Sequence, residues 1–208
     1  MTDEPDTTAD RRPGGRTARI RAQVLDAVRA ELAERGHEGL TMEGVATRAG
    51  VHRATVYRRW RDVGGLLVDV IDAAGEMDWQ PPDTGSLRGD LTALNQEIQE
   101  SLLVQPSVAV ALMAASFHSE RAAQAQTRLW THRYAQCEIL VERAVERGEA
   151  PSQHTDARSL LIAATAPLYH QLVLLRLDPD PRLPERAAEA AVLALRAGAF
   201  SVRRDESV

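Results

Sequence analysis

The sequence predicts an all-α protein with a packed helical core. Apolar residues recur at intervals of three and four along most of the 208 positions, which is the period of a helix that buries one face. No two alternating segments joined by a hairpin turn are found, so the pattern does not favour strands. One cysteine and no Cys/His cluster at zinc spacing leave core packing as the expected source of stability.

Four helices are predicted before the Pro81-Pro82 pair. Thr41 is a good N-cap for the second of them, because its hydroxyl can accept a hydrogen bond from a first-turn N–H. Gly50 ends that helix at a tight turn, a position that often needs a positive φ. The four are expected over Ile20 to Ala33, Met42 to Ala49, about His52 to Trp60, and from an Asp62 cap through Ile71.

Five further helices are predicted beyond the Pro-Pro pair, which together with the following Asp-Thr-Gly is the best domain boundary in the chain. They are expected over Leu87 to Leu102, Val108 to His118, about Arg121 to Arg147, Asp156 to Leu177, and Pro184 to Val202. Pro167 lies inside the fourth of them and should kink it, because its ring displaces the carbonyl four residues back.

Charge is distributed unevenly along the chain. Residues 1–10 carry a formal charge of −4, residues 11–62 carry +6, and residues 63–208 carry −7. From Arg48 to Arg61 there are five arginines and no acid, and the chain has no lysine. A compact basic patch on an acidic protein is typical of a surface that binds a polyanion, although a solvated charged face would give the same pattern.

Two short helices around Gly50 lie inside this basic block, an arrangement typical of a helix-turn-helix. Val56 and Trp60 fill the inward face of the second helix. Its opposite face can contact base edges or phosphates, since a major groove about 12 Å wide admits a helix. Tyr57 could instead be a half-buried core aromatic. The side chains left on the exposed face are Arg53, Thr55, Tyr57 and Arg58.

Residues 16–71 resemble the N-terminal domain of the TetR family of transcriptional regulators. The residues that carry the resemblance are Thr41, Val45-Ala46, Ala49-Gly50-Val51, Thr55-Val56-Tyr57, Trp60 and Leu66-Leu67. The resemblance implies a homodimer that binds a near-palindromic operator and is released by a small molecule, without a cofactor. The implied organisation is an arm (1–15), a helix-turn-helix DNA-binding domain (16–62), a connecting helix (63–79), and an antiparallel helical ligand-binding and dimerisation domain (80–208).

The resemblance also implies roles for single residues at the DNA. Thr41 would cap its helix and contact phosphate, and Arg48 would flank Thr41. Arg53 would read bases together with Thr55, and Tyr57 would hold phosphate.

Two positions near the DNA depart from the family pattern. His52 stands where a small capping residue such as Ser is usual, which affects base preference. Val63 stands where a phosphate-contacting Lys is usual. The preceding arm, which carries Arg11, Arg12, Arg16 and Arg19, is a candidate replacement for that contact, and a solvated tail is the alternative.

The C-terminal part offers a candidate ligand pocket between helices. Trp130 and Tyr134 lie one helical turn apart, and Met113 and Phe117 form a second such pair. Ordinary core packing would explain the same residues, and Cys137 in particular is expected to be buried core. The residues assigned to the pocket are Met113, Phe117, Trp130, Tyr134, Cys137 and His170.

The predicted helix Asp156 to Leu177 is apolar on more than one side, so it must be buried on two sides. A dimer interface would provide the second side, with the Ala-rich last helix as its close-packing partner. The residues assigned to this four-helix interface are Leu161, Leu168, Leu172, Ala188, Ala191 and Leu195.

The sequence does not indicate an enzyme. It contains no Gly-rich phosphate loop, nucleophile elbow or HExxH motif, and no catalytic or metal site is assigned. No apolar run approaches the roughly 18 residues of a membrane span, so a soluble, cytoplasmic protein without a membrane partner is expected. The alternatives are a recombinase-like helix-turn-helix protein and, more realistically, a DNA-binding regulator without small-molecule control.

Overall fold

The structure is a computed structural model that describes residues 14–76, 78–104, 106–151 and 155–201. The described residues form nine α-helices and one π-helical turn, with a single isolated bridge between Thr155 and Ser201 in place of any β-sheet. The all-α prediction is confirmed. The helices are α1 Gly14–Arg35, α2 Met42–Ala49, α3 Arg53–Trp60, α4 Val63–Gly75, α5 Leu87–Leu103, α6 Val108–Ser116, α7 Glu120–Glu146, α8 Ala157–Tyr169 and α9 Leu183–Arg196, and the π turn is His170–Leu174.

The first three connections use the predicted capping groups. Thr41 is the N-cap of α2, and its Oγ1 accepts a hydrogen bond from the Gly44 N–H at 3.0 Å. Gly50 has φ 63°, a left-handed conformation that glycine adopts without steric cost. Asp62 caps α4 by accepting from the Gly65 N–H at 2.7 Å. The helix-turn-helix therefore begins and ends where its local signals predicted.

Two hydrophobic cores lie along α7. The first joins α1 to α4 with α6 and the beginning of α7, where Ala122 and Ala125 are fully buried. The second joins α5, α8 and α9 to the later part of α7, around Leu140 and Ala144. Because α7 contributes to both cores, the N-terminal and the C-terminal helices pack on a shared element.

Three arginines of α7 hold the connecting helix α4 and its cap. The pairs are Arg121 with Asp62 at 3.0 Å, Arg128 with Asp72 at 3.2 Å, and Arg133 with the carbonyl oxygen of Ala74 at 2.9 Å. The last pair lies next to the cavity described below.

The two C-terminal helices end earlier than the sequence predicts. The α-helical pattern of α8 continues past Pro167 to Tyr169 and then widens into the π turn. Leu175 closes that turn by donating to the His170 carbonyl at 2.9 Å, and Arg176 then takes φ 52°. The last helix ends at Arg196 before Gly198 at φ 80°, whereas its predicted end, Val202, lies outside the described residues.

Candidate DNA-binding surface and ligand cavity

Helix α3 is fixed by its inward face and presents its opposite face to solvent. Val56 and Trp60 are buried, and the Trp60 Nε1–H donates to Asp69 Oδ2 of α4 at 2.7 Å. Arg53, Arg58 and Tyr57 are exposed on the other face, with Tyr57 at 38%. Thr55 is partly buried. Of the side chains that the sequence singled out for DNA, Arg53, Tyr57 and Arg58 are thus exposed on α3.

Glu43 of α2 joins two of these side chains. Its Oε1 accepts a hydrogen bond from the Tyr57 hydroxyl at 2.6 Å and forms an ion pair with Arg53. The Arg53 guanidinium carbon also lies 5.4 Å from the centre of the Tyr57 ring. Glu43 was missed in the sequence, because it lies on α2 while its partners lie on α3, and the periodicity within one helix says nothing about contacts across the turn.

Arg48 points back to α1. Its Nε donates to buried Glu31 at 2.7 Å, and another of its nitrogens donates to Glu34 at 2.8 Å. The guanidinium is therefore engaged in holding α2 on α1, a structural contact that the sequence did not predict.

The flanking positions have defined local roles. The Thr41 side chain is exposed at the start of α2, and His52 is the N-cap of α3, its Nδ1 accepting from the Ala54 N–H at 3.4 Å. His52 thus occupies the capping position in place of Ser. Val63 is partly buried against the first core. The candidate arm contacts Arg11 and Arg12 lie outside the described residues, whereas Arg16 and Arg19 are exposed in α1.

A cavity of about 290 Å³ lies between α5, α7 and α8. Its walls are mostly apolar and aromatic, and the Trp130 ring meets the Tyr169 ring edge-on with centroids 5.5 Å apart. Trp130, Tyr134 and Cys137, three of the six predicted pocket residues, line it. The full lining is Trp79, Leu94, Glu97, Ile98, Ser101, Leu129, Trp130, Arg133, Tyr134, Cys137, Leu161, Thr165 and Tyr169.

On one wall of the cavity, the Trp79 side chain contacts a carboxylate and a guanidinium. The Trp79 Nε1–H donates to Glu97 at 2.8 Å, and the Arg133 guanidinium carbon lies 4.9 Å from the Trp79 ring centre. Burial raises the pKa of Cys137 to about 11 and also raises the pKa of Tyr169, so both groups are neutral at pH 7. The cavity therefore suits an apolar molecule with a polar group near Glu97 and Arg133.

The other predicted pocket residues lie elsewhere. Met113 and Phe117 line an adjoining space of about 330 Å³, which shares Trp130 and Tyr134 with the first cavity, and Phe117 is 83% exposed. His170 is exposed at the start of the π turn and lines neither of these two spaces.

Five of the six residues assigned to the dimer interface do not face outward in the structure. Five of them are at most 3% exposed within the single chain, where they fill its core, and Leu172 is partly buried against that core. A second subunit cannot cover side chains that are already buried. The five are Leu161, Leu168, Ala188, Ala191 and Leu195. The large apolar side chains left outside on α8 and α9 are Ile162, at 41% exposure, and Leu193, at 57%.

A helix-turn-helix with an exposed basic helix, joined by a helix to a helical domain with an apolar cavity, is typical of a DNA-binding transcriptional regulator. Family comparison agrees: residues 24–70 match the bacterial regulatory proteins of the tetR family, and residues 81–191 match the tetracyclin repressor-like C-terminal domain. The chain belongs to the TetR family of DNA-binding transcriptional regulators.

Several known proteins are similar over most of the chain. The HTH-type transcriptional regulator AqdR of Rhodococcus erythropolis is 31% identical over 175 residues, 83% of each chain. The DNA-binding transcriptional repressor TetR of Mycobacteroides abscessus is 30% identical over 74% of this chain and 83% of its own. The crystal structure of FadR from Bacillus subtilis in complex with stearoyl-CoA has a TM-score of 0.63 at 15% identity, covering 85% of this chain and 98% of FadR, which shows a common fold.

Two kinds of feature are absent from the described part of the chain. No group of three or more His, Cys, Asp or Glu residues there could hold a metal ion. No single described helix is long and apolar enough to cross a membrane, although α5 and α6, bent by 83° relative to each other, reach that length and composition together.

Proposed function

We propose that this protein is a homodimeric repressor that binds a palindromic operator and leaves it when a small molecule occupies the cavity. The observation that carries this proposal is the position of Arg133. Its side chain lines the cavity and also donates to the carbonyl oxygen of Ala74, in the last turn of the helix that leads to the DNA-binding domain.

A path of direct contacts runs from the cavity to α3. A ligand that contacts Arg133 competes with its bond to Ala74 and with its stacking on Trp79. Helix α4 in turn holds α3 through the hydrogen bond that the Trp60 indole N–H donates to Asp69 at 2.7 Å. A shift of α4 therefore moves the reading helix, and two subunits moved in this way would no longer match two half-sites.

At the DNA, we assign base reading to Arg53 and Thr55 and phosphate binding to Tyr57, Arg58 and Thr41. The side chain of Arg53 can form a bidentate contact with guanine, which is the commonest specific contact in the major groove. Support for repression comes from the M. abscessus relative, which is named a repressor. Support for an apolar effector comes from the cavity walls and from the stearoyl-CoA held by FadR, which has the same fold.

For the dimer, we assign the outer faces of α8 and α9 as the interface. Ile162 and Leu193 lie there among small residues such as Ala163, Ala166 and Ala190, all of them exposed in the single chain. Small side chains allow helices of two subunits to approach closely, and the inward faces of both helices are already filled.

The test measures operator affinity with and without an effector. A duplex selected by the protein from a random library serves as operator, and a panel of apolar and aromatic metabolites is screened for compounds that raise the melting temperature. A compound that does so should lower operator affinity about 5- to 150-fold in the wild type. If no stabilising compound changes operator affinity, the protein is a DNA-binding regulator without small-molecule control.

Arg133→Met tests whether the signal passes from the cavity to α4 through Arg133. Arg128→Met is the matched control, because Arg128 also binds α4, through Asp72 at 3.2 Å, but does not line the cavity. We expect Arg128→Met to respond to the effector like the wild type and Arg133→Met to lose most of the response. Equal responses in all three proteins would leave ligand control standing and contradict the role of Arg133.

A further inference from the structure

The face of α3 that meets DNA contains a carboxylate from another helix. From Met42 to Arg61 the chain has five arginines and one acidic residue, Glu43. This residue forms an ion pair with Arg53 and accepts the 2.6 Å hydrogen bond from Tyr57, while Arg53 lies over the Tyr57 ring. The three side chains form a closed cluster that joins the start of α2 to the exposed face of α3.

Glu43 is ionised at neutral pH and remains accessible to water. Its pKa is lowered by the Tyr57 hydroxyl, next by its own backbone N–H and then by the charge of Arg53, while its side chain is 44% exposed. A carboxylate in the first turn of α2 also interacts favourably with the helix dipole. The dipole explains an acid at this position, but it does not explain the two contacts that reach across to α3.

We propose that Glu43 is a specificity-determining residue, which is itself anchored by the Tyr57 hydroxyl, holds Arg53 in place for base reading and withholds Arg53 from the phosphates of unrelated DNA. Arginine has five N–H donors in a rigid fork, so one nitrogen on Glu43 leaves others for a base edge. A phosphate would have to draw the guanidinium away from Glu43, and the carboxylate repels that same phosphate. The inference rests on DNA binding through α3 and does not depend on ligand control.

The experiment compares two duplexes of equal length and composition: one selected by the wild-type protein from a random library, and one with the shuffled sequence. Glu43→Ala should reduce the ratio of the two affinities by about tenfold, the value of one good base contact. On the shuffled duplex, the slope of log affinity against log salt should steepen by about 0.9 per subunit, because Arg53 becomes available to a phosphate.

Two controls separate this role from charge and from folding. Glu38→Ala removes one exposed negative charge in the turn between α1 and α2 and should leave the affinity ratio within about twofold of the wild type. In an Arg53→Ala background, adding Glu43→Ala should leave the ratio unchanged, because Glu43 acts through Arg53. The melting temperature of each variant, measured without DNA, identifies any loss of folding.

Either of two results would overturn the proposal. One is an unchanged affinity ratio in Glu43→Ala, with both duplexes affected equally. The other is the same fall in the ratio when Arg53 is already absent. No effector is used in this experiment, so its failure leaves the proposed ligand control standing.

Discussion

The attachment of α3 to α4 depends on Asp69. Its carboxylate accepts two hydrogen bonds from Arg21, at 2.9 and 2.7 Å, and one from the Trp60 indole at 2.7 Å. Asp69→Ala removes all three. Arg21 keeps Glu76 as a partner at 2.9 Å. Breaking its pair with Asp69 should therefore cost only as much as losing a partly exposed ion pair, about 1 kcal/mol. The Trp60 N–H is left buried and unpaired, which costs about 1 to 3 kcal/mol.

The expected loss in the free energy of unfolding is therefore about 2 to 4 kcal/mol for Asp69→Ala. In a chain of this size each kcal/mol lowers the melting temperature by roughly 2 to 4 °C. Asp72→Ala is the matched control on the same helix, because Asp72 forms a largely exposed pair with Arg128 and should cost less than about 1 kcal/mol. Equal melting temperatures for the two variants would refute the reasoning.

The indole contribution and the pH dependence can be measured separately. In a Trp60→Phe background no N–H is left unpaired, so Asp69→Ala should cost less than it does in the wild type.

Burial raises the pKa of Asp69, but the hydrogen bonds from Arg21 and Trp60 outweigh this effect, and the net pKa is lowered. The carboxylate therefore stabilises the fold fully above its unfolded pKa, about 3.9, and this contribution is lost as the pH falls below that value. The difference in stability between wild type and Asp69→Ala should be constant from about pH 8 to 5 and then shrink.

Three further outcomes are expected. Gly65→Ala should destabilise the fold by about 1 to 3 kcal/mol in chemical denaturation, because a Cβ would lie 2.1 Å from the carbonyl oxygen of Trp60. The neighbouring Gly64→Ala should be tolerated, because the nearest atom to its Cβ would be a side-chain oxygen of Asp62 at 3.2 Å. Leu193→Glu should convert the dimer to monomers in sedimentation at micromolar concentration, since this exposed residue lies at the proposed interface; a persistent dimer would place the interface elsewhere. Val63→Lys should steepen the salt dependence of operator binding by about 0.9 per subunit, and an unchanged slope would show that this position does not reach phosphate.

The helix-turn-helix could be predicted almost residue by residue because its signals are local. Thr41 accepts a hydrogen bond three residues away, and Gly50 needs a left-handed φ that is a property of one position. The inward stripe of Val56 and Trp60 follows the helical period. Each of these features depends on a few neighbouring residues, so it can be predicted without knowledge of the tertiary fold.

The C-terminal helices were predicted less well because their faces depend on distant partners. A helix that is apolar on two sides does not reveal which side packs inside its own chain, and Leu161 and Leu168 proved to face the chain's own core. The cavity shows the same limit. Trp130, Tyr134 and Cys137 lie on one stripe and were found, whereas Trp79 and Glu97 come together from separate segments through one hydrogen bond.

Charge counted along the sequence also overstates what a duplex meets. Five arginines between Arg48 and Arg61 predicted a strongly basic patch. In the fold, Arg48 is bound to Glu31 and Glu34 of α1, Arg53 is paired with Glu43, and Arg59 lies over the Trp60 ring. Two of the five charges are thus balanced by carboxylates before DNA arrives. Non-specific affinity depends on phosphates neutralised, so this domain should bind random DNA more weakly than its arginine count suggests and depend more on base contacts.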